Sequence, residues 1–349
     1  MKSLAFASFL LLPACFGGER ATTGECPAGE TCSDLTPRGL QFDGPAMTDD
    51  IDLSGPSPTA VGGTQDIKLT YDPTEGHYVA LDLPFTADDD GGLGVKIDHV
   101  AGNVVTVRGV AVRTNYLRIS DAATGELFDR KELGGARIDS MKLVVNTFEA
   151  PPADRDLAFL AGDVQVGVAL LGPVQGSGGP APERLVDQSM HLSLAGATQR
   201  AWDLLDLPAA TAGTYPLSVT AGDRPTATLD VVVVDHLDSV IGDPTNPTTV
   251  APNGEAGLCF DGLASDRYVA GLNWHFLVDG VAKDGLGNCV GVTTTATQSG
   301  TITVVASAGG LSATATLAIG TARTDRAPPS RVGRTLPSPA GDRAALTSR

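Results

Sequence analysis

The feature that most constrains the fold is an alternation of apolar and polar residues that recurs along the chain with a period of two. In LSATATLAI, residues 311–319, Leu, Ala and Ile occupy one face while Ser and Thr occupy the other. This pattern is typical of a half-buried antiparallel strand. The preceding GTITVVAS, residues 300–307, alternates in the same way, and the glycine pair at 309–310 favours a turn between the two runs. We therefore predict a β-hairpin over residues 300–319.

A near copy of this hairpin lies one domain length earlier in the chain. GTYPLSVTAGDRPTATLDVVVV, residues 213–234, matches GTITVVASAGGLSATATLAI, residues 300–319, and both contain TATL. A repeat at this spacing has the size of a domain rather than of a solenoid turn. Each copy is therefore predicted to close a domain, which gives units over 138–236 and 237–320. Strand-like runs such as DIKLTY, HYVALDL, NVVTVRGVAV and LRISD…GELFDR predict a further unit over 37–137.

One segment favours a helix. In ATQRAWDLLDLP, residues 197–208, a helical period would place Trp202 and Leu205, with Leu204 beside them, on one apolar face. Pro208 would then end the helix. In an all-β domain, a segment of this kind usually crosses from one sheet to the other.

The composition agrees with short strands and many turns. The chain of 349 residues contains 42 Gly and 23 Pro, and its length favours two or three domains. Its formal net charge is −17. Nucleic acid and anionic lipid both attract basic proteins, so this acid excess argues against electrostatic docking on anionic lipid and excludes sequence-independent nucleic-acid binding.

The units resemble bacterial immunoglobulin-like domains of surface lipoproteins, most clearly at GTYPLSVTAG and SGTITVVASAGG. The resemblance implies an all-β fold of tandem immunoglobulin-like β-sandwiches. Cys259, fifteen residues before Trp274, is similar to the strand B cysteine and strand C tryptophan of immunoglobulin folds. The second cysteine of that pattern would lie near Val304, whereas Cys289 precedes it. We therefore expect a disulfide that does not join the two sheets.

The N-terminus has the features of an export signal. MKSLAFASFLL contains one cation followed by an apolar run that is too short to span a bilayer. The stretch LPAC, residues 12–15, resembles the lipobox of bacterial lipoproteins, in which the cysteine receives a diacylglyceryl group and becomes the new N-terminus after cleavage. The resemblance implies a signal peptide over 1–14, lipidation of Cys15, and an exported protein of the cell envelope, at the outer membrane. Plain secretion with an incidental cysteine is the alternative.

The number of cysteines supports this interpretation. Five cysteines are an odd count for an exported protein, and lipidation of Cys15 leaves four. These form a near pair, Cys26 and Cys32, and a distant pair, Cys259 and Cys289, which an oxidising compartment would close as disulfides. Zinc is the alternative for CPAGETC, but that stretch lacks a second ligand pair and a nearby histidine. No cofactor is expected.

Two terminal segments lack the pattern of a folded unit. Residues 15–36 contain almost no apolar side chains beyond the first two positions, and we interpret them as a flexible, lipid-anchored tether. Residues 321–349 hold six Arg, two Asp and four Pro without periodicity, which predicts a disordered tail. A partner-binding arm is the alternative for this locally basic tail.

No sequence motif indicates an enzyme. HExxH, a Gly-rich phosphate loop and GxSxG are absent from the sequence, and the five histidines are dispersed. The acidic run Asp88, Asp89 and Asp90 is a weak calcium candidate, with a solvated turn as the alternative. Trp274 and Phe276 would form a sugar-binding platform if they were exposed. Because they share a strand face with other apolar residues, however, we expect them in the core.

These patterns together predict a non-enzymatic, lipid-anchored cell-envelope protein with an adhesion, display or spacer role. The alternative is a carbohydrate-binding or accessory module of a polymer-degrading system. The expected partners are the membrane, through the lipid anchor, and a surface protein or glycan that the sequence does not identify. Fold alone does not specify function, so this prediction depends on the resemblance.

Overall fold

The computed structural model describes residues 40–47, 56–72, 77–145, 155–173 and 183–320. All the regular secondary structure within these ranges is β-strand, so the predicted all-β fold is confirmed. Within the same ranges, no helix is long and apolar enough to cross a membrane. The predicted signal peptide, tether and C-terminal tail lie outside the described residues.

The first unit is a sandwich of two sheets. Its strands are β1 (Leu40–Asp43), β2 (Thr59–Ala60), β3 (Thr64–Tyr71), β4 (Val79–Ala80), β5 (Phe85–Asp88), β6 (Val95–Ala101), β7 (Val104–Gly109), β8 (Thr114–Asp121) and β9 (Leu127–Ala136). One sheet has the order β1-β3-β7-β6, with β4 paired to β3, and the other has the order β2-β9-β8-β5. Between them lies a core that includes the fully buried Ile67, Leu69, Leu117 and Ile119.

The second unit repeats this arrangement. Its strands are β10 (Ser140–Val144), β11 (Leu157–Leu160), β12 (Gly162–Gly172), β13 (Glu183–Leu185), β14 (His191–Ser193), β15 (Thr198–Ala201), β16 (Leu204–Ala210), β17 (Gly213–Thr220) and β18 (Ala227–Val234). The sheet β10-β12-β16-β15, with β13 paired to β12, faces a sheet that contains β14-β17-β18-β11. Their shared core includes the fully buried Val166, Val168, Leu217 and Val231.

The third unit is built in the same way. Its strands are β19 (Ser239–Gly242), β20 (Thr249–Val250), β21 (Glu255–Ala264), β22 (Arg267–Ala270), β23 (His275–Val278), β24 (Val281–Lys283), β25 (Cys289–Thr293), β26 (Gly300–Ala308) and β27 (Leu311–Ile319). The sheet β20-β27-β26-β23-β24 packs against β21, which pairs with β19 and β25. Leu258, Phe260, Val304 and Leu317 are fully buried between these layers.

One strand topology therefore recurs three times. In each unit a short strand pairs in parallel with the last strand: β2 with β9, β11 with β18, and β20 with β27. The last two strands form an antiparallel hairpin in every unit. Two facing sheets with this strand order are an immunoglobulin-like sandwich, so the predicted fold class is confirmed. The exact domain bounds stay a prediction, because one sheet continues across the boundary at 236/237.

The repeated hairpins form as predicted from the alternation. In β27, Leu317 is fully buried, whereas Thr314 and Thr316 are exposed. The turn before it contains Gly309 and Gly310 at φ values of 55° and 81°. Two successive residues in the left-handed region are what a two-residue hairpin turn of this hand requires, and glycine adopts that region without steric cost.

The predicted helix over 197–208 is wrong. The segment forms the hairpin β15–β16, with Trp202 and Asp203 in the turn. Leu205 and Leu207 are two residues apart on β16 and both enter the core of the second unit. The backbone of β16 also pairs with β12. Burial of alternate residues and completion of a sheet outweigh a weak helical period, because strand preference is set mainly by packing.

Candidate functional site

The distant cysteine pair forms a disulfide within one sheet. Cys259 on β21 and Cys289 on β25 are directly opposed, with an Sγ–Sγ distance of 2.05 Å and a Cα–Cα distance of 4.0 Å. Asn246 holds the backbone of Cys259: its side-chain amide donates to the Cys259 carbonyl at 2.7 Å, and its Oδ1 accepts from the Cys259 amide at 2.8 Å. The buried Val304, on the penultimate strand β26, occupies the region where an inter-sheet disulfide would need its second cysteine.

The other cysteines with predicted roles cannot be placed on this fold. Cys15, Cys26 and Cys32 lie outside the described residues. Lipidation of the first and a disulfide between the other two stay predictions.

The acidic run of the first unit forms a hydrogen-bonded turn. Asp88 Oδ1 accepts from the amide of Asp90 at 2.7 Å, and Asp89 Oδ2 accepts from the amide of Ile97 at 2.9 Å. These carboxylates therefore hold the connection between β5 and β6. In the part of the chain that the structure describes, no group of three or more His, Cys, Asp or Glu residues could hold a metal ion.

The aromatic residues of the third unit lie at its core, as the strand pattern predicts. Phe276 is buried, and the half-buried Trp274 stacks on it with ring centroids 6.2 Å apart and an interplanar angle of 12°. Trp274 packs against residues of two apolar clusters. Its ring therefore packs against other side chains of the protein and does not form an exposed sugar-binding surface.

One histidine of the first unit approaches both a hydroxyl and a carboxylate. Thr106 Oγ1 donates to Asp66 Oδ1 at 2.5 Å and lies 3.4 Å from His99 Nε2. A catalytic triad requires the histidine between the hydroxyl and the carboxylate, so that it can accept the hydroxyl proton. Here the hydroxyl stands between the other two groups. The arrangement is a hydrogen-bonded cluster without the order of a triad.

A charged cluster marks the connection between the second and third units. His236 Nδ1 lies 2.5 Å from Asp235 Oδ1, and His236 Nε2 lies 3.4 Å from Asp238 Oδ1. The hydrogen bond with Asp235 and the charges of both carboxylates raise the pKa of His236 above its ordinary value. The other oxygen of Asp238 accepts from the amide of Ser265 at 2.6 Å in the turn between β21 and β22.

The junction between the first and second units is built from backbone hydrogen bonds. The amide of Ala60 donates to the carbonyl of Val186 at 2.8 Å, and the amide of Val186 donates to the carbonyl of Pro58 at 2.9 Å. The amide of Asp223 donates to the carbonyl of Val61 at 2.9 Å. The chain segment around β2 is therefore paired with the second unit as well as with its own sheet.

Asp187 is the side chain at the centre of this junction. It is fully buried, and its Oδ1 accepts from the amide of Thr64 at 3.1 Å and from the amide and hydroxyl of Ser189 at 2.9 and 2.5 Å. Its Oδ2 accepts from the amide of Gly222 at 2.7 Å. A Cβ added to Gly63 would lie 2.5 Å from Asp187 Cγ, so only glycine permits this approach. One carboxylate thus connects three chain segments from two units.

The junction between the second and third units is a shared sheet. Strand β11 pairs in parallel with β18 of its own unit and with β22 of the third unit, where Leu157 is opposite Tyr268. Because β22 also pairs with β21, the sheet continues across the boundary and contains eight strands. Tyr268 is fully buried and belongs to the core of the second unit. The third unit therefore contributes a strand and a large side chain to its neighbour.

Another apolar cluster closes the opposite side of this junction. It combines residues of the second unit, such as Ala158, with Leu237, Val269 and Leu272 of the connection and the third unit. Sequence reasoning identified neither junction. Parallel pairing between strands far apart in the chain leaves no local pattern, and Asp187 lies in a stretch, LVDQS, that reads as an ordinary turn.

Comparisons with known proteins yield structural neighbours but no family. No protein-family model matches the chain, and no curated protein matches it. Among solved structures, the chain is similar to Dscam, in a structure that concerns isoform specificity, with 14% identity over 80% of this chain and 73% of that chain and a TM-score of 0.20.

Two bacterial structures are similar at the same level. The fibronectin(III)-like modules of Clostridium thermocellum CbhA are 17% identical over 51% of this chain and 97% of that chain, with a TM-score of 0.19. A Bacteroides ovatus protein of a mixed-linkage glucan utilization locus, SGBP-B, solved with a mixed-linkage heptasaccharide, is 12% identical over 72% and 68%, with a TM-score of 0.24. Similarities of this size carry no functional argument, so the fold assignment depends on the strand order itself.

Proposed function

We propose that the chain is a non-enzymatic, lipid-anchored protein of the bacterial cell envelope, in which three immunoglobulin-like units form a stiff spacer that displays its distal end. The observation that carries this proposal is that both junctions are fixed by backbone hydrogen bonds. The LPAC stretch and the odd number of cysteines support the lipid anchor.

The junctions differ from the usual connection between domains of one chain. Interfaces between domains of one chain are commonly modest in area and polar, so the domains are normally expected to move relative to each other. Here, bending at the second junction would separate β11 from β22 and withdraw Tyr268 from the core of the second unit. Bending at the first junction would expose the buried carboxylate of Asp187 and the amides that donate hydrogen bonds to it. Stiffness of this kind suits a spacer better than a flexible linker of independent modules.

The lipid anchor is tested by mass and by location. Protein purified from native membranes should lack residues 1–14 and carry an acyl adduct on Cys15, and an epitope at the C-terminus should be accessible to antibody on intact cells. The Cys15→Ser variant is the control and should be released from the membrane fraction. A soluble, unacylated mature form of the unaltered chain would contradict the anchor.

The stiffness is tested separately by small-angle X-ray scattering of the mature chain with Cys15→Ser. A single maximum dimension that does not change with salt concentration is expected. Asp187→Ala should broaden the distribution of distances, whereas Asp223→Ala, at the same junction but exposed, should leave it unchanged. A broad distribution for the unaltered chain would contradict the spacer role without bearing on the anchor.

The alternative, a carbohydrate-binding or accessory module, has one observation in its favour. Tyr78 of the first unit is 53% exposed, and exposed aromatic rings stack on sugar rings. Trp274 offers no such ring, since it stacks on Phe276. A glycan array probed with the mature chain tests this alternative: binding that Tyr78→Ala abolishes would favour it over the spacer role, and an array without signal would count against it.

A further inference from the structure

One end of the first unit carries a group of exposed apolar side chains. We define the end patch as Tyr78, Val79, Leu83 and Val100, all of which are exposed. Single exposed apolar residues are ordinary on soluble proteins, whereas several together mark a contact with another molecule or with a membrane. What the end patch contacts therefore depends on where it lies in the fold.

Strand pairing brings Val79 and Val100 to the same end of the unit. Val79 on β4 lies opposite Tyr71, the last residue of β3. The amide of Leu69 donates to the carbonyl of Asn103 at 2.8 Å, in the turn between β6 and β7. Val100 lies three residues before Asn103, near the end of β6. Strand β4 and the turn after β6 therefore both lie beside the last residues of β3.

Leu83 lies at this end too, and so does the point where the chain enters the unit. The carbonyl of the residue after Leu83 accepts from the amide of Ala122 at 3.1 Å, in the turn between β8 and β9. Near the start of β9, Asp129 Oδ2 accepts from the amide of Leu40 at 3.3 Å. Leu40 is the first residue of β1 and lies opposite Tyr71. The N-terminal segment therefore joins the first unit at the end that carries the end patch.

The first junction lies at the opposite end of the unit. Thr64, the first residue of β3, donates its amide to Asp187 of the second unit. Because a strand rises about 3.3 Å per residue, Thr64 lies roughly 23 Å from Tyr71 at the other end of β3. The end patch therefore lies on the side of the first unit that is remote from the second unit.

If Cys15 carries lipid, this end of the first unit is the one nearest the membrane. Leu40 follows Cys15 by 25 residues. A coil of that length spans roughly 25–30 Å. An acyl group on Cys15 would therefore keep the end patch within reach of the lipid surface.

The chemistry of this end suits an apolar contact with lipid rather than an electrostatic one. A tyrosine has an apolar ring and a polar hydroxyl, and such rings are enriched at the boundary between headgroups and acyl chains. Valine and leucine side chains are buried just below the same boundary. The acidic side chains within residues 77–84, 100–103 and 121–126 are Asp82, Asp121 and Glu126, and neither Lys nor Arg occurs in these described ranges. Anionic headgroups would therefore repel this end.

We propose that the first unit rests on the lipid surface through the end patch, so that the three units stand on the membrane. This inference rests on the lipid anchor of the proposed function. The end patch is too small to hold the chain on a membrane by itself. The anchor supplies the local concentration that makes a weak contact effective, as it does for any second site on a tethered molecule.

The test attaches the chain to lipid chemically, so that its result does not depend on whether cells lipidate Cys15. Residues 15–349 with Cys26→Ser and Cys32→Ser would be coupled through the Cys15 thiol to a maleimide-bearing lipid in phosphatidylcholine vesicles. Cys259 and Cys289 form a disulfide and would not react. Acylation of Cys15 in cells is tested separately by mass, so failure of the contact and failure of the anchor are distinguishable.

The reporter is a tryptophan placed in the end patch, with a matched control at the other end of the same unit. Tyr78→Trp is the reporter and Leu93→Trp the control, since Tyr78 and Leu93 are 53% and 54% exposed. Leu93 precedes the start of β6, which lies at the Thr64 end of the sheet. Brominated acyl chains quench only a tryptophan that reaches them. Quenching would be measured relative to the chain with its two native tryptophans.

Brominated lipid should quench the added tryptophan of Tyr78→Trp and shift its emission to the blue, and should leave that of Leu93→Trp unchanged. Val79→Asp with Val100→Asp in the Tyr78→Trp chain should remove the quenching, because each charge would have to leave water. Val110→Asp with Val112→Asp, at similarly exposed valines near Leu93, should leave it intact. Phosphatidylglycerol in the vesicles should weaken the quenching, and added salt should restore it. Equal thermal unfolding midpoints would show that the variants remain folded.

Four results would overturn the proposal. Absence of quenching in the coupled Tyr78→Trp chain would show that this end does not touch lipid, and would leave the exposed ring to the glycan alternative. Equal quenching of the Tyr78→Trp and Leu93→Trp chains would mean that the molecule lies on its side. Quenching that survives the Val79→Asp and Val100→Asp substitutions would place the contact outside the end patch. Quenching that rises with phosphatidylglycerol would make the contact electrostatic.

Discussion

The two junctions hold neighbouring units together by different physical means. The first uses loops whose amides converge on one buried carboxylate, Asp187. The second uses a strand of the third unit, β22, which extends a sheet of the second unit and places Tyr268 in its core. The difference indicates that loss of one side chain should loosen the first junction locally, whereas the second couples the folding of two units.

The largest effect should come from removing the shared aromatic ring at the second junction. Tyr268→Ala leaves a large cavity in the core of the second unit and should lower the free energy of unfolding by about 3–5 kcal/mol. Calorimetry should show the second and third units losing stability together. Tyr268→Phe keeps the ring and should cost about 1 kcal/mol, and Tyr78→Ala, at an exposed tyrosine, should cost less. Loss confined to the third unit would break the proposed coupling.

Removal of the buried carboxylate should rank next. Asp187→Ala leaves the amides of Thr64, Ser189 and Gly222 without their acceptor in a buried site and should cost about 2–5 kcal/mol. The exposed Asp223, whose amide but not side chain is used in the junction, provides the control as Asp223→Ala. Amide hydrogen exchange should accelerate around the first junction and remain slow in the third unit. Faster exchange throughout the molecule would mean that the first junction is as coupled as the second.

The disulfide should stabilise one unit without contributing to either junction. Its cysteines are 30 residues apart in sequence, and the entropic cost of closing such a loop predicts a loss of about 2–4 kcal/mol for the double variant Cys259→Ala with Cys289→Ala. Chemical denaturation should show the loss in the third unit, while the first unit keeps its midpoint. A variant as stable as the unaltered chain would show that the sheet pairing of β21 with β25 suffices.

The smallest effect should come from the charged cluster at the second junction. Asp235 and Asp238 raise the pKa of His236, so the folded state favours its protonated form. The resulting stabilisation is fully present below the ordinary pKa of about 6.5 and is lost as the pH rises through the raised value. The unfolding midpoint should therefore fall relative to that of His236→Gln between about pH 6 and pH 8. Parallel midpoints over this range would show that the exposed cluster does not contribute.

The sequence predicted the parts of the fold that depend on local pattern. The alternation in residues 213–234 and 300–319 gave both hairpins, because the residues that alternate along a strand are also those that point alternately into the core. The helix predicted over 197–208 failed where one apolar face was read from too few residues. Leu205 and Leu207 are two residues apart, which places them on one face of a strand and not on one face of a helix, and pairing with β12 completes that strand.

Some features of the candidate sites were likewise predictable from the sequence, and others were not. The departure of the cysteine pattern from that of immunoglobulin folds predicted that Cys259 would not be bonded to the penultimate strand, and the disulfide indeed lies within one sheet. The core position of Phe276, with Trp274 packed against it, followed from the apolar face that these residues share. In contrast, no signal in the sequence marks Asp187 as buried, because an aspartate in a turn-like stretch is usually solvated.

The sequence by itself determined the class of fold and the repeated hairpin, since the period of two requires a strand with one buried face. Only the tertiary structure decided how the units are joined, because β11 and β22 lie more than a hundred residues apart and pair through backbone groups that every residue carries. Backbone hydrogen bonds have no dependence on side-chain identity, so a contact built from them leaves no trace in the pattern of residues.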